Sequence, residues 1–258
     1  MMMNNLSKTF VFFIIASLGM LCSGYAQCRI LTIGDSTMAS YDENTNELRG
    51  WVQMLPPFLN NDVTLNNQGA SGRSSKSFYH EFWVGLRASL KPGDYVFIQF
   101  GHNDEKSAGL DSKDQLGLGT AAWGQYIEYL TKYVQECRDR GAIPILFTSV
   151  VRGIRDDNRK LTDESLHSLS KICGNNIQMN YPLAMRALAI ELDVPLIDMR
   201  SLTQQLVEFY EYEKSKRYIY CRRDDAHLQA TGGMLFAGLA VNELQKKGLL
   251  TKELIPLY

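Results

Sequence analysis

The chain carries almost no net charge. Its 27 Lys and Arg stand against 28 Asp and Glu, so composition offers no electrostatic footprint for nucleic acid. It has no CxxC pair and no histidine beside a cysteine, so a zinc site is poorly supported. No second apolar run of about 18 residues follows the N-terminal one, and no internal repeat, low-complexity tract or linker divides the chain. The Gly-x-Ser-x-Gly elbow of α/β-hydrolases is also missing. What remains is 258 residues, 45% apolar and 21% charged, enough for one substantial core.

The first residues read as a targeting segment. Lys8 precedes an apolar run from Thr9 to Leu21, and small residues follow near Gly24 and Ala26. We read residues 1–26 as a secretory signal peptide and 27–258 as a single catalytic domain, exported to the periplasm or beyond. An uncleaved anchor and lipidation at Cys22 or Cys28 are the alternatives. Stable membrane insertion of the mature chain is not expected. Export leaves Cys28, Cys137, Cys173 and Cys221, which permit up to two disulfides in three connectivities. Their spacing does not choose between bridges and free thiols.

Five short runs rich in Val, Ile, Leu and Phe have the length of strands buried on both faces: Arg29–Ile33, Val63–Asn66, Tyr95–Phe100, Ile143–Thr148 and Pro195–Ile197. Helical spacing of apolar residues lies between and after them, over Trp51–Leu59, Ser77–Leu90, Thr120–Arg140, Tyr181–Leu192, Leu202–Tyr212 and Ala230–Lys247. Such alternation predicts an α/β fold: a three-layer α/β/α sandwich around a central five-stranded parallel sheet, flavodoxin-like in kind. Ligands of such sheets bind beyond the carboxyl ends of the strands. Ser36, Gly72, Asn103 and the loop after Thr148 all fall at that edge.

Gly34-Asp35-Ser36-Thr37 leaves the first strand, and Asp224 stands three residues before His227. A serine hydroxyl needs a base within hydrogen-bond reach and a third group to orient that base. Ser36, His227 and Asp224 suit those roles. Ser36 is placed by this reading at a helix N-terminus, although Gly-Asp-Ser also reads as an ordinary cap. Asp225 is the other candidate acid, and Gly69 competes with Gly72.

Four ordered blocks carry a resemblance: Ile33-Gly34-Asp35-Ser36-Thr37-Met38, Asn67-Gln68-Gly69-Ala70-Ser71-Gly72-Arg73-Ser74, Phe100-Gly101-His102-Asn103-Asp104 and Asp224-Asp225-Ala226-His227. They resemble the SGNH (GDSL-type) hydrolases, and within these the rhamnogalacturonan acetylesterase group of carbohydrate esterases. The resemblance implies that Ser36 is the nucleophile, with His227 as base and Asp224 as its orienting acid. It implies an oxyanion hole from the Ser36 and Gly72 backbone N–H groups and the Asn103 side chain. It also implies acetyl transfer without metal or organic cofactor, and an acetylated polysaccharide or oligosaccharide as substrate. Acetylated pectin comes first, with acetyl-xylan, a lipase or thioesterase activity, or a glycan-binding protein without turnover as alternatives.

Other residues carry weaker expectations. Arg73 and His102 are the substrate-side candidates beside the motifs, and Lys76, Arg152 and Arg155 are further cations for an acidic sugar. Trp51 and Trp123 suit sugar stacking or core packing. His80 and His167 read as surface residues. Oligomeric state is not legible in the sequence.

Overall fold

Residues 28–106, 120–168, 179–222 and 224–257 are described by a computed structural model. The expected secretory segment and Cys173 lie outside them. The five apolar runs become strands β1 (Arg29–Gly34), β2 (Thr64–Asn67), β3 (Tyr95–Gln99), β4 (Ile143–Phe147) and β5 (Leu196–Ile197). All pair in parallel, in the order β2-β1-β3-β4-β5. Strand order reverses beside β1, which opens a crevice at the carboxyl edge where β1 and β3 part.

Alternation along the strands divides the core in two. Leu31, Ile33, Val96, Ile98 and Leu146 face one layer, whereas Ile30, Phe97, Ile145 and Phe147 face the other. The first face is covered by helices α3 (Ile127–Arg138) and α4 (Tyr181–Glu191), through Leu130, Tyr133, Met185 and Leu188. The segment from α1 (Ser75–Phe78) to α2 (Val84–Leu86) adds Phe78 and Trp83 to it. The second face is covered by α5 (Met199–Phe209) and α7 (Ala230–Lys246), with Val207, Phe236, Val241 and Leu244. The result is the three-layer α/β/α sandwich.

Several helices differ from the spacing-based reading. Trp51–Leu59 forms two short 3-10 turns, Trp51–Met54 and Pro56–Phe58, because consecutive prolines remove the N–H donors a longer helix needs. The helix expected from Ser77 begins at Ser75. There Ser74 and Ser77 form a reciprocal capping box, and a π turn follows over Tyr79–Trp83. A second π turn, Ala122–Tyr126, precedes α3, with non-helical backbone at Trp123 and Gly124. Asp198 caps α5 three residues early, and an additional helix, α6 (Glu211–Tyr218), follows it.

Cys28, Cys137 and Cys221 are unbridged to one another, so a two-disulfide framework among the four expected cysteines does not form. Among the described residues no helix is long and apolar enough to cross a membrane.

Candidate active site

Ser36 does not sit at a helix N-terminus. The chain leaves β1 into a single turn closed by Met38 N donating to Asp35 O (3.1 Å), so local N–H groups, and no macrodipole, surround the hydroxyl. The turn is locked from below. Asp35 Oδ1 accepts the Thr37 N–H (2.9 Å) and hydroxyl (2.7 Å), Gln99 Nε2 donates to Thr37 Oγ1 (2.7 Å), and Trp51 Nε1 donates to Gln99 Oε1 (3.0 Å). Trp51 is therefore a buried strut of this turn, with no face available to a sugar.

Ser36 Oγ lies 2.9 Å from His227 Nε2, and His227 Nδ1 lies 2.5 Å from Asp224 Oδ2. The other Asp224 oxygen accepts the N–H groups of Ala226 (2.7 Å) and His227 (3.1 Å), which turns the carboxylate back onto the imidazole. Burial pushes the Asp224 carboxyl up, but His227 and these N–H donors outweigh it and hold the group below its ordinary range. Asp225 points elsewhere, to Lys216 Nζ at 3.3 Å. With a proton on Nδ1 directed at Asp224, Nε2 is free to accept a hydrogen bond from the Ser36 hydroxyl.

Asn103 meets the loop of Gly72 through the Arg73–Ser74 peptide. Asn103 Nδ2 donates to Arg73 O at 3.1 Å, while its Oδ1 accepts from Lys106 Nζ at 2.8 Å. These bonds fix the amide orientation and leave a second Nδ2 hydrogen available. Gly72 has φ +74° with open space where a Cβ would stand, so the left-handed backbone makes it a glycine. Gly69 differs: a Cβ there would come within 3.0 Å of the Met38 and Ala39 backbone, a packing constraint against the turn that carries Ser36. Neither the Ser36 nor the Gly72 N–H has an acceptor among the described residues. Tyr41 ties the two loops together, donating to Ser36 O (2.8 Å) and lying 3.0 Å from Ser71 Oγ.

The relay opens on a cavity of ≈ 420 Å³ lined by Ser36, His102, Asn103, Arg152 and His227 among others. Arg73 does not line it. Its guanidinium pairs with Glu81 at 2.8 Å and lies over the Phe82 ring, so of the two motif-side candidates only His102 reaches the cavity. Arg155 is spent on the Val207 and Arg159 carbonyls, and Trp123 packs against the core.

His167, expected at the surface, is fully buried because it joins a charged network under the cavity wall. Its Nδ1 lies 3.0 Å from Glu105 Oε2, and Arg152 pairs with the other Glu105 oxygen. Burial raises the Glu105 carboxyl, but His167 and Arg152 bring it below its ordinary value. Asp104, next to it, is buried and accepts from the Ser75 N–H (3.0 Å), the Ser75 hydroxyl (2.5 Å) and Thr120 Oγ1 (2.8 Å). Burial nevertheless lifts its carboxyl to about 7. Asp104 and Glu105 directly follow Asn103, and two adjacent acids in the short loop after an apolar strand are the one signal that could have pointed to them. Arg152 was already a candidate cation and does line the cavity, whereas His167 offered no such signal. Among the described residues no group of three or more His, Cys, Asp or Glu could hold a metal ion.

Residues 32–232 match the GDSL-like Lipase/Acylhydrolase family. The chain belongs to this family. Its GDSL-like relatives include the rhamnogalacturonan acetylesterase RhgT of Bacillus subtilis, 30% identical over 238 residues, which cover 87% of this chain and 93% of that one. The probable rhamnogalacturonan acetylesterase YesY of the same organism is 30% identical over 233 residues, 88% of this chain and 97% of the other. Axe2, an acetylxylan esterase from Geobacillus stearothermophilus, superimposes with a TM-score of 0.59 at 16% identity, over 84% of this chain and 93% of its own; at that identity it shows a shared fold. Membership in the GDSL-like family makes the chain a carboxylic ester hydrolase.

Proposed function

We propose that the protein is an exported carbohydrate acetylesterase that removes O-acetyl groups from a plant cell-wall polysaccharide, with acetylated rhamnogalacturonan first among substrates. The observation that carries this reading is the hydrogen-bonded line Ser36–His227–Asp224, 2.9 and 2.5 Å long, opening on the cavity beside Asn103. The full-length likeness to RhgT supports the acetylated pectic substrate.

In this reading Ser36 Oγ attacks the acetyl carbonyl as His227 Nε2 takes its proton. The carbonyl π pair moves onto oxygen, where the Ser36 and Gly72 N–H groups and the second Asn103 Nδ2 hydrogen stabilise the charge. Collapse of the tetrahedral species breaks the bond to the sugar oxygen, which takes the proton from His227. Water then attacks the acetyl-Ser36 ester with His227 again as base, giving acetate and the resting hydroxyl. The chain's own groups suffice for every proton.

Acetate release from acetylated pectin by the purified protein, lost in Ser36→Ala, is the expected result. Release from acetyl-xylan alone would move the substrate to a xylan. Preference for long-chain acyl esters with no acetate from any glycan would overturn the proposal in favour of a lipase. The expected secretory segment is tested separately, by sequencing the N-terminus of the exported protein for cleavage near Ala26.

A further inference from the structure

His102 and His167 lie edge to face with ring centroids 4.3 Å apart, and both aim Nε2 at one carbonyl, Val150 O, at 3.0 and 2.8 Å. A carbonyl only accepts, so each Nε2 carries a proton. His167 faces a second acceptor, Glu105 Oε2, at its Nδ1. Arg152 pairs with Glu105 Oε1 and keeps that carboxylate ionised. His167 is thereby protonated at both nitrogens and cationic.

His102 has the opposite environment. Among the described residues no carboxylate meets it, and two buried cations, His167 and Arg152, flank it; Arg152 Nη2 donates to the His102 carbonyl at 3.1 Å. Burial first, and then these two charges, push its imidazole well below the ordinary range. A neutral ring whose proton is held on Nε2 has only a lone pair at Nδ1. No donor among the described residues meets that atom, nor is it sealed from solvent, and the ring lines the cavity that Ser36 opens on.

Resting on the acetylesterase reading, we propose that His102 Nδ1 is a sugar-recognition atom, accepting a free hydroxyl of the acetylated sugar and holding that ring at Ser36. The Glu105–His167–Arg152 network is its tautomer lock: it keeps the ring neutral and the acceptor turned toward the cavity. The ligand class is a carbohydrate bearing an unmodified hydroxyl beside its ester, which a simple aryl acetate lacks.

Two reciprocal variants test it on acetylated pectin and on p-nitrophenyl acetate. His102→Gln keeps a donor for Val150 O and loses the Nδ1 acceptor. It is expected to lower kcat/KM on the polysaccharide about three- to tenfold, through KM, with the aryl ester changed by less than about twofold. His102→Asn keeps an acceptor near Nδ1 and gives up the Val150 bond. It is expected to lose thermal stability while retaining its preference for the polysaccharide. Imidazole ¹⁵N NMR of the wild type reads the lock directly, with His102 protonated only on Nε2 and His167 on both nitrogens.

An unchanged polysaccharide KM in His102→Gln would overturn the proposal. So would equal losses on both esters, which mark a structural or water-positioning atom, or a proton on His102 Nδ1. A wild type that cleaves neither ester would overturn the acetylesterase reading itself, and this proposal with it.

Discussion

His227 Nε2 and Ser36 Oγ stand 2.9 Å apart although 191 residues separate them in the chain. The approach is built by backbone. β1 delivers Ser36 to the carboxyl edge of the sheet, while Cys221 N donating to His227 O (2.9 Å) and the Tyr220–Leu228 bridge close the loop before α7 on itself. Gly153 N donating to Asp225 O (2.6 Å) and the Tyr220 hydroxyl donating to Val151 O (2.9 Å) tie that loop to the segment after β4. Rigid placement of both partners keeps the hydroxyl within proton-transfer reach before substrate arrives.

The choice between adjacent acids is testable by paired substitutions. Asp224→Asn removes the carboxylate that fixes the His227 tautomer and is expected to lower kcat by about four orders of magnitude. Asp225→Asn loses only a half-exposed pairing with Lys216 and is expected to stay within about twofold of wild type. Steady-state acetate release with both proteins checks this, and a larger loss in Asp225→Asn would reverse the assignment.

Asn103→Ala takes away a side-chain donor beside the Arg73–Ser74 peptide. Loss of one oxyanion donor is expected to reduce kcat by about 10²–10³ with little change in KM. A proportionate rise in KM with kcat intact would make Asn103 a ground-state binding residue instead.

Breaking the buried network has a thermodynamic signature. Glu105→Gln leaves Arg152 and His167 buried without their counter-charge and is expected to cost about 3–5 kcal/mol in urea unfolding. Because the folded Glu105 carboxyl sits below its ordinary 4.5, its stabilising contribution is complete above that pH and is lost as pH falls through the folded value. The gap between wild type and variant therefore narrows in acid. A gap that widens there would contradict the assigned charge states.

Asp104 has the opposite sign. Its folded carboxyl, raised from 3.8 to about 7, contributes stability that is complete below the ordinary value and is lost as pH rises through about 7. Carboxyl ¹³C NMR should show one aspartate titrating near 7 that disappears in Asp104→Asn. Titration below about 5 would mean that the Ser75 and Thr120 donors outweigh burial.

Much of this protein is legible along the chain because parallel strands buried on both faces read as unbroken apolar runs, and the residues that follow them must lie at one edge. Ser36, Gly72 and Asn103 each follow a strand, so order alone brings them to one line, and the three-residue spacing of Asp224 and His227 defines their pair. Local chemistry also marks its own limits: Pro56 and Pro57 announce why a helical pattern breaks into turns.

What only the tertiary structure decided depends on which groups meet across long loops. Arg73 had the motif position of a substrate contact, yet Glu81 and Phe82 hold it off the cavity. His167 was expected at the surface; Glu105, 62 residues away, is what makes its burial tolerable. Sequence determines which residue types arrive at the edge of the sheet. Burial and charge pairing, set by contacts between distant segments, decide which of them face the cavity and which proton each one holds.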